Sequence, residues 1–390
     1  MIQSILDNDL YKFTMQQAVH FLYPRAQAEY QFCNRGGTCS PPGFAQRVRQ
    51  EIEQMATLSL SLAQKRYLET TCPFFTPSYL DYLESYTYDP DEVTLGQKKG
   101  VFFLKICGPW HRTILWEVPL MAIISEIFFS MASPAILSRE EIKARNISKA
   151  AALAEHQILF ADFGTRRRFS STIHEMLISD ILTHKNHTLM GSSNVHFAQK
   201  FNLRPIGTLA HEWVMFHGAV AGYKKANPLA MDAWIQVFNG DLGIALTDTY
   251  TTTQFLSSFD TRLANLFDGV RQDSGDPIAF INDLVRHYET LDIDPKTKTI
   301  IFSDSLDIHQ AIAIHTQCNG KIRDAYGIGT HLTNDVGPTP LNMVIKLSQC
   351  RVSPETAWQQ TVKLSDDRGK QTGNKQALEV CMKQLNIKEI

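Results

Sequence analysis

The sequence predicts an α/β protein with two domains, an irregular α/β barrel and an α+β domain. From about residue 130, helical stretches alternate with short apolar runs that end in small polar residues. These runs centre on Thr208, Leu246, Val270, Phe302 and Tyr326, at intervals of 38, 24, 32 and 24 residues. A strand, a helix and two loops take about 30 residues in a βα repeat. The spacing therefore predicts parallel strands arranged as a barrel.

The first 120 residues have a different pattern, which is typical of an α+β domain. Residues 4–22 have a helical spacing of apolar side chains, and residues 26–35 form a strand-like run. Residues 41–90 are predicted to be helical, with one interruption at two prolines. Within residues 91–118, the segments VFFLKICG and RTILWEV predict antiparallel strands.

The two ends of the chain are predicted to share the α+β domain. The most apolar stretch, Val118 to Ala132, contains Glu126 and is too short to span a bilayer, so we expect a buried helix. The last 45 residues return to strand-like and polar segments. We expect an α+β domain of residues 1–130 with 346–390, and a barrel of residues 131–345.

Composition limits the kinds of partner. The chain has 38 basic and 40 acidic residues and a net charge of −2, which gives no general affinity for nucleic acid or an anionic membrane. Seven cysteines without a CxxC pair indicate a reducing, cytoplasmic setting and no structural zinc site. The N-terminus carries Asp7 and Asp9 and lacks a basic segment followed by an apolar run, unlike a signal peptide.

The chemistry of an α/β barrel lies at the carboxyl ends of its strands. Glycines in the loop after the last predicted strand would let backbone amides approach a phosphate, although a tight βα turn has the same pattern. The acids Asp248, Asp273 and Asp276, which follow two other predicted strands, could hold a ribose diol or Mg²⁺, or could cap helices. Because Pro277 follows Asp276, capping is the better interpretation for that residue. The predicted strand ends carry His211, Asp248, Arg271, Asp273, Asp304, Asp307, Gly327, Gly329 and Thr330.

Three further segments have both a structural and a functional interpretation. His211 and His217 lie six residues apart, whereas the histidines of the helical zinc motif lie four apart, so zinc is rejected. The three arginines that follow Phe163-Gly164 are either a solvated face or a clamp for carboxylate or phosphate. Phe163 itself could offer a flat wall to a planar ring. By pattern alone, Tyr11 is an incidental tyrosine of an amphipathic helix.

Eight segments follow one another in a specific order along almost the whole chain. They are DLYKFTM (9–15), FADFGTRRR (160–168), GSSNV (191–195), GTLAHEW (207–213), ALTDTY (245–250), GVRQDSGDP (269–277), FSDSLD (302–307) and YGIGTHLTND (326–335). In this order and spacing the chain resembles the nicotinate phosphoribosyltransferase family. The resemblance implies a barrel like that of quinolinate phosphoribosyltransferases, with an α+β domain built from both chain ends. It also implies a homodimer in which the N-terminal tyrosine segment reaches a shared site.

The resemblance also implies a reaction. Nicotinate and phosphoribosyl pyrophosphate would give nicotinate mononucleotide and pyrophosphate in NAD synthesis, with Mg²⁺ as cofactor and ATP coupled through a phosphorylated histidine. The matching positions are Tyr11 and Phe163 around the pyridine ring, Arg166 and Arg271 near the substrate, His211 as the phosphorylated residue, Asp248 and Asp273 facing the ribose and magnesium, and Ser305, Gly327, Gly329 and Thr330 at the 5′-phosphate.

Three alternatives are weighed against this expectation. A nicotinamide phosphoribosyltransferase typically has an acid on the segment matching Gly191–Asn194, where an acid would repel a carboxylate. Here Ser192 and Ser193 could donate hydrogen bonds to nicotinate instead. A barrel that only binds a phosphorylated metabolite has no use for a phosphorylatable His211. An aldolase needs a Schiff-base lysine at a strand end, and the predicted ends carry none.

Overall fold

The computed structural model describes residues 1–184 and 187–387. The helices are α1 (Leu10–Leu22), α2 (Phe44–Met55), α3 (Leu62–Thr71), α4 (Pro77–Ser85), α5 (Trp110–Thr113), α6 (Glu117–Ala132), α7 (Arg139–Glu155), α8 (Ser171–Thr183), α9 (Val195–Lys200), α10 (His211–Ala221), α11 (Ala226–Phe238), α12 (Thr252–Leu256), α13 (Thr261–Leu266), α14 (Pro277–Thr290), α15 (Ile308–Cys318), α16 (Thr330–Thr333) and α17 (Lys375–Leu385). The strands are β1 (Gln27–Asn34), β2 (Val93–Lys98), β3 (Val101–Pro109), β4 (Phe160–Asp162), β5 (Leu189–Ser192), β6 (Arg204–Pro205), β7 (Ile244–Leu246), β8 (Gly269–Gln272), β9 (Thr299–Phe302), β10 (Arg323–Ile328), β11 (Met343–Arg351) and β12 (Gln359–Gln360).

An antiparallel sheet joins the two ends of the chain. Its order is β12-β11-β1-β3-β2, and β1 pairs with β11 along its full length. In β3, the side chains of Phe102, Leu104 and Ile106 are buried and their neighbours are exposed, which is the period of a strand with one buried face. The predicted α+β domain built from both chain ends is therefore confirmed, while its residue boundaries stay a prediction.

A parallel sheet of seven strands forms the second layer of the fold. Its order is β6-β5-β4-β10-β9-β8-β7, so the last strand, β10, lies beside the first, β4. Among the residues that the structure describes, no pairing joins β6 to β7, and the barrel is open and irregular. The predicted strands centred on Leu246, Val270, Phe302 and Tyr326 are confirmed as β7 to β10.

The predicted strand centred on Thr208 is wrong. Thr208 lies in a loop, and His211 is the first residue of α10. The loop is bonded to α1 and not to a strand: the Thr208 carbonyl accepts a hydrogen bond from Thr14 Oγ1 at 2.8 Å. Gly207 packs so closely on α1 that a Cβ atom there would lie 2.8 Å from the Tyr11 nitrogen. His211 therefore enters the site from the start of a helix.

Three other local predictions differ from the structure. RTILWEV is not a strand but spans α5 and the start of α6, because Ile114, Leu115 and Trp116 are buried at successive positions and a short apolar run does not distinguish helix from strand. The first helix begins at Leu10, not at residue 4. The helix α17 lies in a segment expected to be strand-like and polar.

The expected buried helix is confirmed as α6. The stretch Trp110–Ala132 is long and apolar enough to cross a membrane by length and composition, with a mean hydropathy of 1.7. However, 78% of its most apolar window is buried inside the protein, where α6 packs against α2 and β11. This stretch therefore behaves as a core helix.

Candidate active site

A cavity of about 490 Å³ lies between the carboxyl ends of the parallel strands and the antiparallel sheet. Its size is in the usual range for small-molecule sites. The strand ends carry functional side chains there because each strand stops where its loop turns towards the next helix. The predicted site residues that line it are Tyr11, Phe163, Arg166, Ser193, His211, Arg271, Asp273, Ser305, Gly327, Gly329 and Thr330.

The hydroxyl groups of the two serines have partners inside the protein. Ser192 is fully buried off the cavity, and its hydroxyl donates to Asp162 Oδ2 at 2.6 Å. Ser193 lines the cavity, but its hydroxyl donates to Asp9 Oδ1 at 2.8 Å. Two buried carboxylates thus accept both hydroxyls in this structure, and donation from Ser192 or Ser193 to a ligand carboxylate stays a prediction.

Both predicted aromatic walls line the same cavity within one chain. Tyr11 lies in the first turn of α1, where the Leu10 amide donates to the Ser193 carbonyl at 2.8 Å. Phe163 directly follows β4, and its amide donates to the Ile328 carbonyl at 2.9 Å. Within the single chain described, the tyrosine lines the chain's own cavity, and the expectation of a site shared with a partner subunit stays a prediction.

The glycines of the loop after β10 have a role that the sequence did not indicate. A Cβ atom at Gly327 would lie 2.3 Å from Phe163 Cδ2, and one at Gly329 would lie 3.0 Å from the Phe163 carbonyl oxygen. Gly327 is therefore required for the packing of the Phe163 ring. The expected contact of this loop with phosphate stays a prediction, with Thr330 and Ser305 on the same cavity wall.

His211 lies at the centre of a polar cluster. Its Nε2 is 3.0 Å from Asp273 Oδ2 and 2.8 Å from Lys363 Nζ, and its Nδ1 is 3.0 Å from Thr249 Oγ1. Asp248 is fully buried off the cavity, with Oδ1 3.7 Å from the same Nε2. Because Asp273 can only accept and the Lys363 ammonium can only donate, Nε2 bonds to one of them at a time.

Burial and the nearby Lys363 ammonium lower the pKa of His211 to about 4, so the ring is neutral near pH 7. Although burial acts to raise it, the Arg271 guanidinium and the His211 contact hold the pKa of Asp273 well below its ordinary value. The sequence predicted that an acid from another strand end, Asp248 or Asp273, would orient His211. The distances support Asp273 as the acid that orients His211.

The cluster does not fit Mg²⁺. His211, Asp248 and Asp273 each offer a ligand atom within 4.8 Å of the others, but Mg²⁺ requires mostly oxygen ligands in octahedral geometry. The Lys363 ammonium already lies among them, 2.9 Å from Asp248 Oδ2. Asp273 is bound by Arg271 at 3.2 Å, and an imidazole nitrogen is a poor magnesium ligand. The expectation that these two acids hold the metal is not supported.

Several cations of the site were missed by the sequence analysis. Burial, Arg35 and Lys363 lower the pKa of Lys346, on β11, to about 7. Lys370 bonds both carboxylate oxygens of Asp304 at 2.6 Å. The segment KLSDDRGK (363–370) has a high charge density that could have indicated a functional site. However, its sequence does not show which strand ends it lies beside in the fold. The missed cations that line the cavity are Arg35, Lys346, Lys363 and Lys370, and Arg167 of the predicted arginine run lines it as well.

A second cluster, here named the Lys12 network, lies beside the aromatic walls and consists of Lys12, Glu117, Arg166 and Glu212. Lys12 is fully buried, and its ammonium lies 2.8 Å from Glu212 Oε1 and 2.5 Å from Glu117 Oε2. Arg166 Nη1 lies 3.6 Å from Glu117 Oε1. Both glutamates and Arg166 line the cavity, so this network forms part of its wall.

The fold and the cavity define a class, the α/β-barrel proteins with a site at the strand ends, here a cavity lined by many cations. Residues 6–125 match the nicotinate phosphoribosyltransferase N-terminal domain, and residues 158–389 match the nicotinate phosphoribosyltransferase family. The chain therefore belongs to the nicotinate phosphoribosyltransferase family and is an enzyme.

Individual relatives agree with this assignment over the full length. A nicotinate phosphoribosyltransferase from Desulforapulum autotrophicum is 60% identical over 385 residues, which cover 99% of each chain. The crystal structure of the enzyme of that name from Porphyromonas gingivalis is 44% identical, with a TM-score of 0.97 and coverage of 99% and 100%. The corresponding structure from Vibrio cholerae is 35% identical, with a TM-score of 0.93 and coverage of 100% and 95%.

Proposed function

We propose that this enzyme joins nicotinate to phosphoribosyl pyrophosphate, giving nicotinate mononucleotide and pyrophosphate. The observation that carries the proposal is that Tyr11, Phe163 and Arg166 line one cavity. Several further cations line the same cavity. Two aromatic rings suit a flat pyridine, and the cations suit a carboxylate and several phosphates.

Nicotinate lies between Tyr11 and Phe163 in this proposal, and Arg166 is the cation for its carboxylate. Asp9 also lines the cavity, and an acid there would favour the amide of nicotinamide. However, Asp9 Oδ1 accepts the Ser193 hydroxyl, and the charge of Arg166 offsets that of Asp9. These contacts favour nicotinate over nicotinamide.

The reaction needs alignment and charge compensation more than proton transfer. The lone pair of the ring nitrogen attacks the anomeric carbon of the ribose, and the bond from that carbon to the pyrophosphate oxygen breaks. The pyrophosphate leaves with the bonding electrons, through an oxocarbenium-like state. The cations that line the cavity would stabilise the departing charge, and the aromatic walls would hold the nucleophile in line.

We further propose that ATP hydrolysis is coupled through a phosphorylated His211. A neutral imidazole is nucleophilic near pH 7. With Asp273 accepting from Nε2–H, the Nδ1 lone pair forms the bond to the γ-phosphorus of ATP. The bond from that phosphorus to the bridging oxygen breaks, and ADP leaves with the electron pair. In that state Lys363 is held by Asp248 at 2.9 Å.

Three further proposals concern the metal ion, the use of the product and the oligomeric state. Mg²⁺ would enter with the phosphates of its substrates, which supply the oxygen ligands it prefers. The product would feed NAD salvage in the cytoplasm. A homodimer is expected from the family resemblance.

The test is release of pyrophosphate from phosphoribosyl pyrophosphate with nicotinate or with nicotinamide. We expect nicotinate to have a kcat/KM higher by about 10³-fold or more, because a mismatched buried polar group is strongly rejected. Similar values for the two substrates would overturn the nicotinate assignment. No pyrophosphate with either one would indicate a barrel that only binds a metabolite.

A further inference from the structure

The Lys12 network extends from the residue next to His211 to the residues proposed to surround the pyridine ring. Glu212 is the residue after His211, in the first turn of α10. Lys12 follows Tyr11 in α1, and its ammonium lies 5.5 Å from the centre of the Tyr11 ring. The contacts therefore run without a break from the neighbour of the histidine to the residues around the pyridine ring.

The charges of the network balance without any surplus. Lys12 and Arg166 contribute two positive charges, and Glu117 and Glu212 contribute two negative ones. Lys12 is fully buried and both glutamates are almost so, which makes their attractions stronger than in water. A negative charge added on the residue before Glu212 would therefore act on how the Lys12 ammonium is divided between its two carboxylates.

We propose that the Lys12 network couples phosphorylation of His211 to the binding of nicotinate, with Lys12, Glu117 and Glu212 as positioning residues. The inference rests on the proposed function, because it needs a phosphoryl group on His211. That group adds about two negative charges one residue before Glu212, at the start of α10. Lys12 is then drawn towards Glu212, and Glu117 is released to hold Arg166 beside the nicotinate carboxylate.

The coupling has a reciprocal consequence. If phosphorylation raises the affinity for nicotinate, bound nicotinate must favour the phosphorylated state by the same factor. Tyr11 is on the same helix as Lys12, so one shift of α1 would affect both the ring wall and the cation. The 3.6 Å contact between Arg166 and Glu117 is long for an ion pair and leaves room for this tightening.

The experiment uses E212Q, which removes the charge but keeps an acceptor for Lys12, and E117Q as a second variant. For each protein, label from γ-labelled ATP on His211 is measured, together with the KM for nicotinate with and without ATP. The matched control is E126Q, which alters a half-buried carboxylate on the same helix as Glu117 that receives a hydrogen bond from the Ser171 amide.

In the wild type and in E126Q, we expect ATP to lower the KM for nicotinate about 5-fold or more, within the usual range of allosteric coupling. In E212Q and E117Q, the label should remain while the effect of ATP falls below about 2-fold. If E212Q and E117Q carry the label and ATP still lowers their KM for nicotinate as in the wild type, the coupling is overturned but the phosphohistidine is not. Loss of the label in both variants would also overturn the coupling. Absence of label from the wild type would refute the phosphohistidine, and the coupling with it.

Discussion

A Cβ atom added at Gly327 would lie 2.3 Å from Cδ2 and 2.4 Å from Cε2 of Phe163. No side-chain carbon approaches a ring so closely, so the missing side chain of Gly327 sets the position of the Phe163 ring. The pairing of Gly327 with Ala161 on β4 fixes this arrangement, because Phe163 leaves β4 two residues later. The glycine thus shapes the wall of the cavity to which it and Phe163 both belong.

The first prediction follows from this contact. Gly327→Ala should displace the Phe163 ring and weaken nicotinate binding by roughly 1–3 kcal/mol, the scale for stacking a base on an aromatic ring. Titration calorimetry with nicotinate measures the loss. Gly36→Ala is the control, since its nearest neighbours would be 3.5 Å from the new Cβ atom. Unchanged nicotinate affinity in Gly327→Ala would mean that Phe163 does not stack on the ligand.

The opposite wall gives a second prediction. Tyr11→Ala should weaken nicotinate binding by roughly 1–3 kcal/mol, while the fold survives. The control is Phe21→Ala on the same helix, where the side chain is exposed. Binding and thermal unfolding are measured for both variants. Normal nicotinate affinity in Tyr11→Ala would place the Tyr11 ring outside the binding site.

The third prediction concerns pH and Lys346. Since its pKa is lowered to about 7, the ammonium is lost as the pH rises through neutrality. The KM for phosphoribosyl pyrophosphate should therefore increase from about pH 6 to pH 8.5 in the wild type. In Lys346→Arg the guanidinium stays charged and the increase should disappear. An equal increase in both proteins would assign the pH dependence to another group.

The fourth prediction concerns the cation next to His211. Lys363 is one of the causes that lower the pKa of His211, so Lys363→Met should raise that pKa from about 4. Phosphorylation needs the neutral ring, so labelling by γ-labelled ATP should begin to fall at a higher pH in the variant than in the wild type, in which labelling should persist to about pH 5. Lys370→Met is the control, since Lys370 pairs with Asp304. Identical pH profiles in Lys363→Met and the wild type would contradict this electrostatic role.

The barrel could be predicted from the sequence because each strand and the polar residues at its end are adjacent in the chain. Asp276 also acts as the predicted cap, accepting from the Ile278 amide at 2.9 Å. A cation such as Lys363 could not be predicted in this way, because it lies 152 residues from the His211 that it contacts. Likewise, Ser192 has the expected residue type, but a distant folding partner, Asp162, uses its hydroxyl. A local sequence pattern does not reveal that a distant residue of the protein accepts a hydrogen bond that a ligand could otherwise accept.

The most direct test of ATP-coupled phosphoribosyl transfer is the rate of nicotinate mononucleotide formation by the wild type and His211→Asn, with and without ATP. His309→Asn, at an exposed histidine on α15, is the control. The account predicts that ATP stimulates the wild type and the control, and that His211→Asn retains only a slow rate that ATP does not change. Radiolabel from γ-labelled ATP should appear on the wild type and not on His211→Asn. Equal stimulation and equal labelling in His211→Asn, or no nicotinate mononucleotide from the wild type, would contradict it.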